Sequence, residues 1–243
     1  LDAFDQQYMV FQNIHRFRNI PEVEVALPNG GAWKQSEAIC NYVNNLSEEF
    51  VTPGELMSDT DLSIAALGRM LKEYRDVLTE GNLMDFSSIQ IEAYHLLQDN
   101  VEILEELRSK VTHIMVDEYQ DTNFIQEQLV FLLAGDRKNI CVVGDDDQGL
   151  YRFRGATIRN ILEFPQKFAD GECRVIPLVI NYRSNSDIVN FYNKWMATTD
   201  GAKFKFRWGN FRYDKKIEPH EETALRSPAV VKLAGVDDTD EWH

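Results

Sequence analysis

Three short apolar runs in the second half of the chain each end on a polar or acidic cluster, and a helical pattern follows each cluster. The runs occupy residues 111–116, 140–143 and 175–180. Apolar runs that alternate with helices are typical of buried parallel strands joined by right-handed crossovers. We therefore expect an α/β fold in which a partial parallel sheet is flanked by helices.

The polar clusters follow directly after the predicted strands. Asp117 and Glu118 follow the first run, residues 144–148 follow the second, and residues 181–184 follow the third. Ligands of parallel α/β sheets bind at the carboxyl ends of the strands. This coincidence predicts an active site at that edge of the sheet.

The first 110 residues are predicted to form a mainly helical subdomain. Apolar residues recur there at three- and four-residue spacing, namely Leu67, Met70, Leu71, Tyr74, Val77 and Leu78. This spacing places them on one face of a helix, where they are expected to form core. Turn signals at residues 28–31 and 52–54 divide the segment into short helices. Asp99 and Glu102 have the spacing of a capping box that opens a helix to about Ser109.

Length and composition exclude several classes of protein. The chain has 243 residues, 44% of them hydrophobic, which is enough for one large domain or two small ones. No run approaches the roughly 18 apolar residues of a membrane span, so no membrane partner is expected. The three cysteines lie far apart, which supports neither a zinc site nor a disulfide framework and fits a cytoplasmic location. The chain begins without Met, and residues 237–243 resemble an element cut short, so we expect a fragment of a longer protein.

The net charge of −15 argues against nucleic acid, because affinity for phosphate backbones comes from Lys and Arg. A protein that holds single strands by base stacking in a local groove can still be acidic as a whole. Residues 203–213 alternate basic and aromatic side chains and predict a β-hairpin. Its aromatic face could contact single-stranded nucleic acid, but we favour the interpretation that these rings join a core.

An apolar strand that ends in Asp-Glu is the Walker B arrangement. Asp117 would hold Mg²⁺, which prefers oxygen ligands and keeps several of its waters. Glu118 would orient and deprotonate an attacking water.

Four segments together resemble the UvrD/Rep/PcrA-type superfamily one DNA helicases. Residues 116–123, VDEYQDTN, resemble motif II, and residues 143–156, VGDDDQGLYRFRGA, resemble motif III. Residues 178–184, LVINYRS, match motif IV, and residues 83–89, LMDFSSI, resemble the DFDDLL segment of the family. The four lie in the family's order and span about half the chain. The resemblance implies an ATP-dependent 3′–5′ DNA helicase or translocase that couples Mg-ATP hydrolysis to movement on single-stranded DNA.

The resemblance also implies roles at the nucleotide. Asp117 and Glu118 are the hydrolytic acids, and Gln148 contacts the γ-phosphate. Arg183 stabilises charge in the phosphoryl-transfer transition state. Tyr182 stacks on the adenine, with a buried packing ring as the alternative.

A second set of residues is implied to contact single-stranded DNA or a junction between duplex and single strand. Tyr151 and Phe153 would stack on bases, although the family often has Trp at the position of Phe153. Arg154 would couple the nucleotide site to the strand, or form a structural salt bridge. Ser87 and Ser88 stand where the family has acids, which puts polar contacts there in doubt.

The resemblance gives a division into three parts. Residues 1–110 would be a helical subdomain inserted in the first motor domain, residues 111–200 its RecA-like core, and residues 201–243 the truncated entry to the second motor domain. The rest of the parent helicase chain is then an expected partner.

The phosphate-binding sequence GxxxxGK(S/T) does not occur in the 243 residues, and residues 30–36 have the wrong spacing to replace it. We therefore expect the chain alone to be inactive. Two alternatives are a subunit of a RecB/AddA-like helicase-nuclease and a non-hydrolysing nucleic-acid-binding module.

Overall fold

The computed structural model describes residues 1–149, 158–197 and 216–220. The chain divides into two compact units, Leu1–Ile161 and Leu162–His243. The motif residues Tyr151, Phe153 and Arg154 and the predicted hairpin at residues 203–213 lie outside the described residues.

Helices make up the first part of unit Leu1–Ile161, as the sequence predicts. They are α1 (Ala3–Gln12), α2 (Ile14–Arg18), α3 (Ala32–Glu48), α4 (Pro53–Met57), α5 (Leu62–Glu80), α6 (Phe86–Asp99) and α7 (Val101–Lys110), with a 3-10 turn at Val23–Val25. In the described part of the chain, no helix is both long enough and apolar enough to cross a membrane.

The predicted apolar face of α5 lies in the core. Met70, Leu71, Tyr74, Val77 and Leu78 are buried, and Leu67 packs against them. They meet residues of α1, α2 and α3, including Val10, Phe17, Ile39 and Val43. The periodicity therefore identified the helix and its buried face correctly.

The predicted capping box at Asp99 is wrong, although a helix does follow. Asp99 is the last residue of α6, and Asn100 occupies the cap position of α7 without a side-chain capping bond. The Asn100 side chain instead donates to the carbonyl of Leu96 at 2.7 Å and closes α6. Two helices meet at this point, and a spacing rule for a single helix start could not detect the end of the preceding one.

Strands β1 (Ile114–Val116) and β2 (Ile140–Val142) form a parallel pair, with Ile114 opposite Ile140 and Met115 opposite Cys141. Helix α8 (Phe124–Ala134) connects them. It begins in a capping box of Asn123 and Gln126 and ends at Gly135, whose φ of 57° suits glycine. The predicted strand–helix–strand unit is confirmed here.

The expectation that these strands are buried on both faces is wrong. Met115 is 78% exposed, and Cys141, its partner across the ladder, is also exposed. Alternate residues of a strand point to opposite faces. The two side chains therefore share an exposed face, while their neighbours point to the half-buried face.

The third apolar run does not extend the β1–β2 sheet. Only β3 (Ile180–Asn181) forms at its end, and it pairs in parallel with β4 (Glu218–Pro219) in a sheet of its own. Pro177 lies within the run and has no N–H to donate to a ladder. The run also exposes Ile176 and Leu178, so it is not the buried strand that its composition indicates.

The remaining helices agree with expectation. Helix α9 (Ile158–Glu163) follows the second polar cluster and gives way to a 3-10 turn at Phe164–Lys167, which contains Pro165. Helix α10 (Ser186–Ala197) follows β3. The chain is thus an α/β protein with a helical N-terminal part. Helices α3, α6 and α7 pack against α8, so helices and the first sheet share one unit, and the division at residue 110 stays a prediction.

Candidate active site

Asp117 and Glu118 leave the end of β1 in a sharp turn. Glu118 has φ 50° and ψ 43°, the left-handed region that a non-glycine residue seldom adopts. The carboxylate of Asp117 accepts the N–H of Glu118 at 2.9 Å, and the N–H of Tyr119 donates to Val143 at 2.9 Å. These bonds hold the turn, so that both carboxylates are exposed while Tyr119 is buried.

Gln120 connects this turn to the end of β2. Its Nε2 donates to Oε2 of Glu118 at 2.6 Å, and its Oε1 accepts the backbone N–H of Asp145 at 3.0 Å. The side chain is buried, with 1% exposure. One amide group therefore joins the ends of two neighbouring strands.

Gln148 lies at the far end of the same hydrogen-bonded chain. It closes a 3-10 turn, Asp146–Gln148, that Asp145 caps. The carboxylate of Asp145 accepts Nε2 of Gln148 at 2.8 Å and the N–H of Asp147 at 3.1 Å. Glu118, Gln120, Asp145 and Gln148 are thus connected without a break. Sequence reasoning singled out the first and last of them but missed the two in between.

Gly144 allows this close approach. A Cβ at this position would lie 2.6 Å from Oε1 of Gln120 and 2.8 Å from Cδ1 of Ile161. Real Cβ contacts of that length essentially do not occur. The glycine therefore lets the strand end pack directly on the glutamine.

Buried hydrogen bonds to α8 and α9 hold the turn that follows β1. Tyr119 donates to the carboxylate of Glu127 on α8 at 2.9 Å. Burial raises the pKa of the Tyr119 phenol well above its usual value, and the charge of Glu127 raises it further. Asn160 of α9, also buried, donates to the carbonyls of Thr122 and Asn123 at 3.3 and 3.2 Å.

Tyr182 and Arg183 belong to the second unit. The side chain of Asn181, at the end of β3, accepts the N–H groups of Arg183 and Ser184 at 2.9 and 2.7 Å. Tyr182 is 73% exposed, and its ring centroid lies 4.5 Å from that of His220. Its exposure does not support the alternative of a buried packing ring. Of the predicted nucleotide-site residues, Asp117, Glu118 and Gln148 therefore lie in the first unit, and Tyr182 and Arg183 lie in the second.

Asp117 is expected to hold Mg²⁺, and the side chains at the carboxyl ends of β1 and β2 can be compared with what that ion requires. In the ranges that the structure describes, no three His, Cys, Asp or Glu side chains are grouped to hold a metal ion. Mg²⁺ does not require such a group, because it usually takes one or two carboxylates and completes its shell with waters and substrate phosphates. The exposed carboxylate of Asp117, oriented by the N–H of Glu118, fits that mode of binding.

Residues 3–169 match the family model of the UvrD/REP helicase N-terminal domain. This range includes both strands of the first sheet and the loops that hold Asp117, Glu118 and Gln148. The chain belongs to the UvrD/REP helicase family.

Individual relatives agree with the family match. DNA helicase II of Haemophilus influenzae is 34% identical over 169 residues, which is 70% of this chain and 23% of the relative. The ATP-dependent DNA helicase PcrA of Staphylococcus aureus is 36% identical over 188 residues, 77% of this chain and 26% of the relative. PcrA of Staphylococcus epidermidis is 36% identical over 193 residues, again 26% of its length. The chain therefore spans about a quarter of the length of these relatives.

Proposed function

We propose that the chain is part of the first motor domain of an ATP-dependent DNA helicase or translocase. The motor would couple Mg-ATP hydrolysis to 3′–5′ movement on single-stranded DNA. The observation that supports this most directly is the parallel pairing of β1 and β2. It places the two acids and Gln148 at one edge of a sheet, where α/β proteins bind ligands.

Three residues at the ends of β1 and β2 have separate roles in the proposed hydrolysis. Asp117 holds Mg²⁺, which when bound neutralises charge on the phosphates. Glu118 is exposed at the strand end, and its carboxylate orients the attacking water and accepts its proton. Gln148, at the end of the neighbouring loop, contacts the γ-phosphate. Each role requires a polar side chain that reaches solvent at this edge, and all three residues are exposed.

Two residues of the second unit are proposed to have the roles that the family resemblance implies for them. Arg183 stabilises the charge that develops during phosphoryl transfer, for which its planar and permanently charged guanidinium is well suited. Tyr182 has the exposed ring that stacking on an adenine requires.

The proposed nucleic-acid partner is single-stranded DNA or a junction of duplex and single strand. Tyr151 and Phe153 would stack on bases, which contributes roughly 1–3 kcal/mol per base without sequence preference. Arg154 would link the strand to the nucleotide. Stacking can hold a strand despite the net charge of −15. The rest of the parent chain is the second proposed partner, and the cytoplasm the proposed compartment.

A chimera tests the proposal. Residues 3–169 would replace the matching segment of the Staphylococcus aureus relative, and ATP hydrolysis would be measured with and without single-stranded DNA. We expect DNA-stimulated hydrolysis that falls on the order of 100-fold or more in Glu118→Gln, because the general base is lost. Glu37→Gln, an exposed glutamate on α3, is the matched control and should leave the rate unchanged. A folded chimera whose rate does not respond to Glu118→Gln would contradict the proposed role of this acid.

A further inference from the structure

Gln120 has no role in the proposed hydrolysis. It is nevertheless buried between the loop that holds Glu118 and the loop that holds Gln148, two residues to which such roles are given. Burial of an amide is costly unless both of its ends are hydrogen-bonded. Here the Nε2 end faces Oε2 of Glu118 at 2.6 Å, and the Oε1 end faces the N–H of Asp145 at 3.0 Å.

The partners dictate which way this amide points. A carboxylate can only accept, so it must face the NH₂ end, and a backbone N–H can only donate, so it must face the oxygen. Glutamine is therefore the side chain of this length that satisfies both neighbours. Glutamate has no donor for Glu118, and leucine has neither donor nor acceptor.

The amide also has little freedom to move. It is planar, so its two ends reorient together, and Gly144 packs directly against Oε1. Beyond Asp145 the contacts continue to Nε2 of Gln148 at 2.8 Å. A displacement of the loop that contains Gln148 therefore moves the donor that holds Glu118.

We propose that Gln120 is a positioning residue that couples the carboxylate of Glu118 to the loop of Gln148. One lone pair of Oε2 is occupied by the amide, which leaves Oε1 of Glu118 to face a water. The roles of Glu118 and Gln148 in this inference rest on the proposed function, whereas the coupling itself is a property of the 243-residue chain and can be measured there.

The test is a cycle of variants of the isotope-labelled 243-residue chain, read by the NMR resonances of the Gln148 side-chain amide and the Asp145 backbone amide. With Gln120 present, Glu118→Ala is expected to shift both resonances. In the Gln120→Leu background, Glu118→Ala should no longer shift the Gln148 amide, because both bonds of the connecting side chain are lost. Persistence of that shift in Gln120→Leu would overturn the proposal.

Two further variants keep the result decisive. Gln120→Met keeps a side chain of similar length and removes both hydrogen bonds without placing a second carboxylate beside Glu118. We expect the Gln148 response to Glu118→Ala to be lost; a retained response would overturn the proposal even if Gln120→Leu failed to fold. Gln90→Leu is the matched control, since Gln90 accepts from Asn123 of the same loop at 3.3 Å but lies off the connecting chain, and the response should remain.

The proposed function fails separately. A chimera without DNA-stimulated ATP hydrolysis would contradict the helicase assignment and leave the NMR coupling unchanged. If the chimera hydrolyses ATP and the NMR coupling is absent, only the proposed role of Gln120 is contradicted.

Discussion

At the scale of single residues, the turn after β1 requires a left-handed backbone conformation at Glu118, which a non-glycine residue does not favour. Glu118 is left-handed, which costs a non-glycine residue about 1–2 kcal/mol. The bonds from the Glu118 and Tyr119 amides offset this cost. As a result Tyr119 enters the core while the carboxylate of Glu118 stays in solvent.

Gly144 gives a prediction at this scale. Gly144→Ala should lower the free energy of unfolding by about 1–3 kcal/mol, because the added Cβ overlaps Gln120 and Ile161 and forces the loop to shift. Urea denaturation followed by circular dichroism measures the change. Gly54→Ala is the control, since a Cβ there meets nothing within 4 Å, and it should change stability by less than about 0.5 kcal/mol or increase it. Equal effects of the two substitutions would contradict the packing described for Gly144.

At the scale of helices, Asp85 joins three elements at one buried point. It caps α6 through the N–H of Ser88 at 2.6 Å, and it accepts from Tyr74 of α5 and from Gln6 of α1. Ser88 completes the capping box by accepting the N–H of Asp85 at 2.8 Å. The serine that departs from the family pattern therefore still makes a polar contact.

Replacement of Asp85 should cost more than loss of a cap alone. Asp85→Ala removes the cap, about 1 kcal/mol, and leaves the buried Tyr74 hydroxyl without its carboxylate acceptor, about 1–3 kcal/mol more. Asp61→Ala, which removes an exposed cap of α5 that accepts the N–H of Ser63, should cost about 1 kcal/mol. Chemical denaturation of both variants checks the difference, and similar losses would show that the Asp85 contacts to α1 and α5 contribute little.

Glu48, the last residue of α3, is expected to make the stability of the chain depend on pH. Burial raises the pKa of Glu48 to about 7 from an ordinary value of 4.5, and the charges of Glu49 and Asp85 add to the effect. The fold therefore favours the protonated acid. This contribution is complete below about pH 4.5 and is lost as the pH rises through 7.

Glu48→Gln should therefore match the parent chain in stability near pH 4 and exceed it at pH 8. Thermal or urea unfolding at the two pH values measures this difference. Glu37→Gln on the same helix, with an exposed side chain, should not gain stability at pH 8. A Glu48→Gln variant with no advantage at pH 8 would mean that the carboxylate reaches water in the folded chain.

At the scale of the whole molecule, the first unit combines a helical part with the two-stranded parallel sheet of β1 and β2. The hydrogen-bonded acids and Gln148 are present there, whereas the 243 residues contain no GxxxxGK(S/T) sequence. Backbone amides of that loop and its lysine bind the phosphates in ATP-hydrolysing motors.

The 243-residue chain by itself should therefore hydrolyse little or no ATP and should not unwind duplex DNA. Release of phosphate with and without single-stranded DNA, together with a strand-displacement assay, measures this. The chimera proposed above is the positive control. Hydrolysis by the chain alone at the rate of the chimera, stimulated by single-stranded DNA, would contradict the prediction.

The sequence by itself determined the family, the helical character of the N-terminal part and the first two strands, because these depend on local periodicity and motifs. It also placed Asp117, Glu118 and Gln148 at strand ends, since a parallel crossover brings such ends to one edge. Tertiary structure decided the rest. The third run forms no strand of the first sheet and pairs only at its end, with β4. The contacts of Gln120 and Gly144 depend on two loops that are distant in sequence and meet in space. Hydrogen bonds and close packing between such loops depend on three-dimensional geometry, which no spacing along the chain specifies.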